Sequence, residues 1–235
     1  MKALTIRGGR LAVVLLVAGL AAIPAAAGAD EALDARQLVD KARLTFESVI
    51  VAPEMDALRD LIPRARGVFV APQILRGAFI FGVSGGSGVF LARGERGGEW
   101  NGPAFYTIGE ASVGFQAGGD ASEVILLAMT DRGVTALLRN SVKLGADMSV
   151  AAGPVGIGVR AATANLSVDI VSFSRSKGLY GGVSVDGAVV ATRGGLNAAY
   201  YGKYVTPADI LVHRAVSNPQ GAALVELVRK AAVAR

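Results

Sequence analysis

The stretch KLGADMSVAAGPVGIGVRAATANLSVDIVSFSRSK, Lys143 to Lys177, decides the fold. It is apolar, punctuated by glycine and nearly uncharged. Val150, Val155, Ile157, Val159, Leu166, Val168, Ile170, Val171 and Phe173 are strand formers, while Gly153-Pro154, Gly156 and Gly158 interrupt at turn or bulge positions. The pattern predicts buried sheet, not helix. From Asn165 to Ser174 the alternation is strict, with Leu166, Val168, Ile170 and Ser172 on one face and Ser167, Asp169, Val171 and Phe173 on the other. A one-residue slip would bury Asp169, so the register is well specified, with Asp169 out of the core.

Upstream of this stretch, GVFVA at 67–71, AFIFGV at 78–83 and SGVFLA at 87–92 read as short strands, separated by Pro72 and by a turn at Gly85-Gly86. Trp100, Phe105 and Tyr106 surround Asn101-Gly102-Pro103, another turn signal, and 112–117 and 123–129 give two further strands. The aromatic rings either pack in the core or sit at a membrane interface; packing is the simpler reading. Asp131 is placed to cap a short helix through Arg139. An internal echo links 82–94 to 182–194: Gly-Val-Ser, Val and Arg-Gly recur one hundred residues apart. Both copies read as hairpins, the second through Asp186-Gly187, so two related β halves are expected.

Helices flank the strands. Val39, Ala42, Phe46 and Val49 recur at spacings of three and four, predicting a helix over 31–51 with Asp30 as its cap. Pro53 opens a second helix that Pro63 ends. Near the C-terminus Thr206-Pro207 and Asn218-Pro219 are two cap-and-proline starts, and Leu224, Leu227 and Val228 give the last helix its stripe. The expected fold is therefore α+β: a mostly antiparallel, curved or barrel-like sheet with helices at the N- and C-terminal ends packed on it.

Ahead of all this, Lys2, Arg7 and Arg10 precede an apolar run from Leu11 to Ile23 and the small residues Ala25 to Ala29. This is the pattern of a cleaved secretory signal peptide over 1–29, leaving one domain over 30–235 in the periplasm or outside the cell. The run falls short of the ~20 residues that span a bilayer, and Pro24 breaks it. With no cysteine, neither a lipidated cysteine nor a disulfide can form. The net charge of +5 falls to +2 without residues 1–29, too little for a dedicated nucleic-acid binder.

KLGAD at 143–147, VAAGPVG at 150–156 and SFSRSKGLYGGVSVDGAVV at 172–190 resemble the hallmark segments of the SYLF domain family of lipid-binding proteins. FGVSGGSGVFLAR at 81–93, GPAFYTIGEASVGFQAG at 102–118 and AYYGKYVTPADIL at 199–211 extend the likeness, in order, over about residues 38–211. The resemblance implies a non-catalytic domain that binds membrane lipids, phosphoinositides in eukaryotic members, with fungal members also similar to actin-binding proteins. Lys143 and the Arg175-Ser176-Lys177 corner lie in family-like motifs. With Arg64, Arg66 and Arg76, at strand ends, they are the candidate contacts to an anionic membrane surface. The alternative is an envelope protein-interaction or structural domain that uses the exposed edge of its sheet or its Gly-rich loops, and the first helix is read as packing its stripe on the domain. Asp30, Glu31, Asp34, Asp40 and Glu47 outnumber Arg36, Lys41 and Arg43, whereas an interfacial helix is rich in Lys and Arg.

Catalytic chemistry is poorly supplied. Gly82-Val83-Ser84-Gly85-Gly86 spells the nucleophile elbow G-x-S-x-G, but Ser84 leads into glycine and another strand instead of a helix. A serine hydrolase would also need His213, the only histidine, with Asp209 or Asp169. One histidine and no cysteine leave no zinc or iron set, and no phosphate-binding glycine loop is present, so no cofactor is expected.

Overall fold

The computed structural model describes residues 23–78, 81–94, 98–113, 118–156, 168–176, 179–181 and 185–233. Its centre is one sheet. The strands are β1 Gly67–Ala78, β2 Phe81–Arg93, β3 Trp100–Val113, β4 Gly118–Ala128, β5 Ser141–Lys143, β6 Val150–Ala152, β7 Ile170–Ser176, β8 Leu179–Gly181 and β9 Val189–Thr192. They run in the order β5-β9-β3-β2-β1-β4-β7-β6, with β8 also on β7, and every pair is antiparallel except β6 with β7. The two outermost strands, β5 and β6, are joined by only residues 144–149. So short a link forces the sheet to curl until its ends approach, which gives the half-barrel.

Both faces of this sheet are apolar, and that explains the continuous hydrophobic runs. On the concave face Phe69, Phe90, Tyr106, Leu126, Ile170 and Val190 form one core. Tyr106 is at its centre, edge-on to Phe69 and Phe90, with its hydroxyl donating to Leu137 O at 2.7 Å. On the convex face Val68, Val70, Leu91, Phe105, Ile125 and Phe173 form a second core with the helices. Those helices are α1 Ile23–Ile50, α2 Asp56–Leu61, α4 Gly194–Tyr201 and α6 Ala222–Val233; α3 Asp131–Leu137 and α5 Pro207–Leu211 close the concave side. The α+β class, the curved sheet and the helical ends are as the sequence predicts.

Several expected boundaries are not. Pro72 does not end a strand: β1 passes through it as a bulge, its register shifting against both β2 and β4. Gly85-Gly86 is no turn either, because β2 runs unbroken through it; a side chain at Gly86 would strike the Gln73 carbonyl at that bulge. Asn101-Gly102-Pro103 lies inside β3, and Trp100, Phe105 and Tyr106 are all buried. Of the two expected halves, Gly182-Val183-Ser184 lies outside the described residues, and neither hairpin runs as expected through Gly85-Gly86 or between β8 and β9. β1 and β2 form one long hairpin, whereas β9 pairs with β3 and β5 and not with β7 or β8. α1 begins at Ile23, so Asp30 is not its cap, and α3 is capped by Thr130, whose hydroxyl accepts from Gly133 N at 3.0 Å. The strand formers Ile157, Val159 and Leu166, and Asn165 to Ser167 of the alternating run, lie outside the described residues.

Candidate functional site

Antiparallel pairing places the start of β1 beside the end of β2, and that end of the half-barrel gathers arginines. Arg93 N donates to Arg66 O at 2.8 Å, and the Arg93 guanidinium reaches Pro63 O at 2.9 Å, beside exposed Arg64. α5 brings Arg214 to the same rim, where it pairs with Glu99. Arg66, Arg93 and Arg214 line a cavity of about 590 Å³ with Asp131 of α3, 3.6 Å from Arg66. Gly94 and Thr135 also line it, and its apolar walls are Ala92, Val134, Leu138, Leu211 and Val212. Among the described residues that line or flank this cavity, Arg64, Arg66, Arg93 and Arg214 stand with Glu99 and Asp131, an excess of positive charge. Each arginine named here has five donors, more than its protein partners use, so an anionic ligand would find free N–H groups over an apolar floor.

Two polar knots hold the walls of the cavity in place. Thr206 caps α5 in a capping box: its hydroxyl accepts from Asp209 N, and the Asp209 carboxylate accepts from Thr206 N at 2.9 Å. The Thr206 hydroxyl, ahead of its backbone N–H, holds the Asp209 carboxyl below the usual range. The other knot is Asp169, only 4% exposed. It accepts from Thr130 Oγ1 at 2.6 Å and from Ser149 N and Oγ at 3.0 Å each, with Arg132 at 3.9 Å. Burial pushes this carboxyl up, and the hydrogen bonds from Thr130 and Ser149 with the charge of Arg132 outweigh it, so the net shift is downward. The expectation that Asp169 stays out of the core is thus corrected: it is buried, and three donors satisfy it.

The six basic residues singled out in the sequence do not share one place. Arg64 and Arg66 lie at the arginine rim. Arg76 is ten residues along β1 from Arg66, on the order of 30 Å away, at the other end of the half-barrel. Lys143 is exposed on the edge strand β5, where KLGAD closes on itself: Lys143 N donates to Asp147 Oδ2 at 2.7 Å, and Gly145 takes φ +82° against Asp186. Arg175 lies under α1 on the convex side, bound to Glu123 and to Ser48 Oγ at 2.9 Å. Lys177 lies outside the described residues.

Ser84 sits mid-strand in β2, opposite Arg76 and Glu110. His213 is exposed beyond α5, near the arginine rim, and Asp209 is taken by the capping box, so neither approaches Ser84. Among the described residues no group of His, Asp or Glu gathers as a metal site, and no helix is long and apolar enough to cross a membrane. Two grooves flank α1 on the convex side. One, of about 280 Å³, is lined by Asp34, Lys41, Gln73, Leu75 and Arg193; the other, of about 410 Å³, by Lys41, Leu44, Gln73, Glu123 and Arg175.

A family model described as Ysc84, Las17-binding protein actin regulator, matches residues 109–231. LAS seventeen-binding protein 3 of Saccharomyces cerevisiae is 32% identical over 159 residues, covering 66% of this chain and 34% of that protein. Protein YSC84 of the same yeast is 29% identical over 177 residues, 73% of this chain and 37% of its own. SH3 domain-containing YSC84-like protein 1 of Homo sapiens is 29% identical over 153 residues, 64% of this chain and 44% of its own. The chain thus spans between about a third and under half of the length of these relatives.

Proposed function

The chain belongs to the Ysc84, or SYLF, domain family, and from that premise we propose that it is an exported, non-catalytic module that docks peripherally on anionic phospholipid surfaces. The observation that carries this reading is the rim cavity, where Arg66, Arg93 and Arg214 stand over apolar walls. An anionic headgroup needs donors and charge, and the attached glycerol and acyl carbons need the floor. Each basic residue near such a surface contributes about 1 kcal/mol, so a handful on one rim gives reversible binding.

Export is part of the proposal. The basic and apolar residues 1–29 act as a leader, leaving one domain over 30–235 in the periplasm or outside the cell. α1 begins before that boundary, but its buried stripe, Ala35, Leu38, Val39, Ala42, Phe46 and Val49, lies wholly after it. Cleavage near residue 29 therefore removes no side chain of that stripe. A second reading, a protein-binding domain of the envelope, draws support from the relatives whose names carry Las17 binding and from the grooves beside α1.

Co-sedimentation of the exported protein with vesicles of phosphatidylcholine, with and without phosphatidylglycerol, separates the two. Salt-sensitive binding to the anionic vesicles alone is expected. Arg66→Gln with Arg214→Gln should weaken it roughly thirtyfold, at about 1 kcal/mol per lost charge. Arg76→Gln and Lys143→Gln should weaken it less. Absence of binding to either vesicle would leave the protein-binding reading.

A further inference from the structure

We infer that α5 is the membrane-inserting element of this domain, with Tyr204 and Val212 as its anchors, so that the half-barrel meets an anionic bilayer with the arginine rim facing down. The inference rests on the lipid-binding reading and adds to it an orientation and a contact surface.

α5 is a five-residue helix, about 7.5 Å long, and its inner side is fixed. Val205, Ile210 and Leu211 are buried in the concave core. The residues next to these point outward instead: Tyr204 is 81% exposed and Val212 is 51% exposed, one beyond each end of the helix. Among the described residues nothing covers this aromatic and this branched side chain, which a rigid cap holds outward. Tyr is suited to the headgroup level, since its ring is apolar and its hydroxyl polar. Val212 also lines the cavity that holds Arg66, Arg93 and Arg214, so the anchor and the phosphate donors open on the same side.

Charge favours this surface over the exposed leucines of the α1 side. Leu44, on α1, and Leu75, beside it, are 55% and 57% exposed and line the grooves where Lys41, Arg175 and Arg193 stand with Glu123 and Asp34. From Asp30 to Ile50, α1 carries five acidic residues against Arg36, Lys41 and Arg43. Over α1 as a whole the acidic residues prevail, whereas around the rim cavity cations outnumber carboxylates among the described residues, so an anionic bilayer is drawn to the rim.

The absence of cysteine from the chain makes the test direct. Tyr204→Cys, Val212→Cys, Leu44→Cys and Leu75→Cys, each labelled with an environment-sensitive fluorophore, are mixed with vesicles of phosphatidylglycerol and phosphatidylcholine. A blue shift and a gain in intensity at 204 and 212, without change at 44 and 75, is the expected result. Alongside it, unlabelled Tyr204→Ala with Val212→Ser should keep its thermal midpoint and bind the vesicles roughly tenfold more weakly. A response at 44 or 75 with silence at 204 and 212 overturns the orientation. Sedimentation with silence at all four positions overturns insertion and leaves peripheral lipid binding standing. If nothing sediments, the lipid-binding reading falls, and this inference with it.

Discussion

Asp169→Asn should cost this domain about 2–4 kcal/mol, out of all proportion to the loss of one oxygen. The carboxylate accepts from three donors, Thr130 Oγ1 on one oxygen and Ser149 N and Oγ on the other. An asparagine oxygen can serve Thr130, but its amide nitrogen then faces Ser149 N–H, donor against donor. Hydrogen bonds to a charged group contribute roughly 1.5–3 kcal/mol each, and a buried donor left alone costs roughly 1–3 kcal/mol. These losses overlap, and the Arg132 contact is largely solvated on the arginine's side, which keeps the sum near the lower figures. Urea unfolding of both proteins, compared at equal m-value, measures the difference. The pH dependence adds a second signature. Because the folded carboxyl titrates below its unfolded value, near 3.9, its stabilisation is present above that value and fades as pH falls through the folded one. The gap between the two proteins should therefore be widest near neutrality and narrow below about pH 4. A loss under about 0.5 kcal/mol, or a gap that widens in acid, would refute the assignment of Asp169 as a buried, satisfied anion.

Gly86→Ala should destabilise by roughly 2 kcal/mol or more, because the new carbon meets the Gln73 backbone at the bulge, whereas Gly194→Ala, with open space around it, should be neutral or slightly stabilising; thermal midpoints distinguish them. Thr206→Ala removes the capping box and should cost about 1 kcal/mol, read by urea unfolding, and loosen the cavity wall that α5 forms. Glu123→Ala removes the carboxylate partner of Arg175 beneath α1 and leaves its bond to Ser48 Oγ; the pair is about three-quarters buried, so a loss of about 1 kcal/mol is expected, with faster hydrogen exchange in the middle of α1 as the local readout.

The fold class was legible because both signals that set it are local. Alternating or continuous apolar runs marked the strands, and the stripe Val39, Ala42, Phe46, Val49 marked the helix that covers them; all four side chains are buried. The strand lengths were misread for one physical reason. Pro72, Gly85-Gly86 and Asn101-Gly102-Pro103 are residues of turns by propensity, but here the sheet uses them where β1 bulges and where backbone passes close to backbone. That error hid the site. Once β1 and β2 are taken as single long strands joined at 79–80, antiparallel pairing puts Arg66 beside Arg93 and sends Arg76 to the far end. Arg214 carried no such signal, since its approach depends on how α5 docks. Asp169 was misplaced because alternation gives the face of a residue and says nothing of the donors waiting there. Thr130 and Ser149 are 39 and 20 residues away in sequence.

With both faces of the sheet covered, the concave surfaces left include the grooves beside α1 and the cavity at the arginine rim. The arginine rim is walled by α3 and α5, helices of seven and five residues that could not persist alone in water. Each is held by a threonine cap tied to a carboxylate: Thr130 donates to Asp169, and Thr206 shares the capping box with Asp209. Their inner side chains, Leu137 and Leu211, are locked in the concave core. The walls that α3 and α5 give this cavity are therefore fixed within the fold, and a ligand there would not have to order them. Polar residues that look incidental to an arginine-lined cavity, Thr130, Asp169, Thr206 and Asp209, are on this account what keeps the arginine rim and the exposed side chains of α5 facing one way.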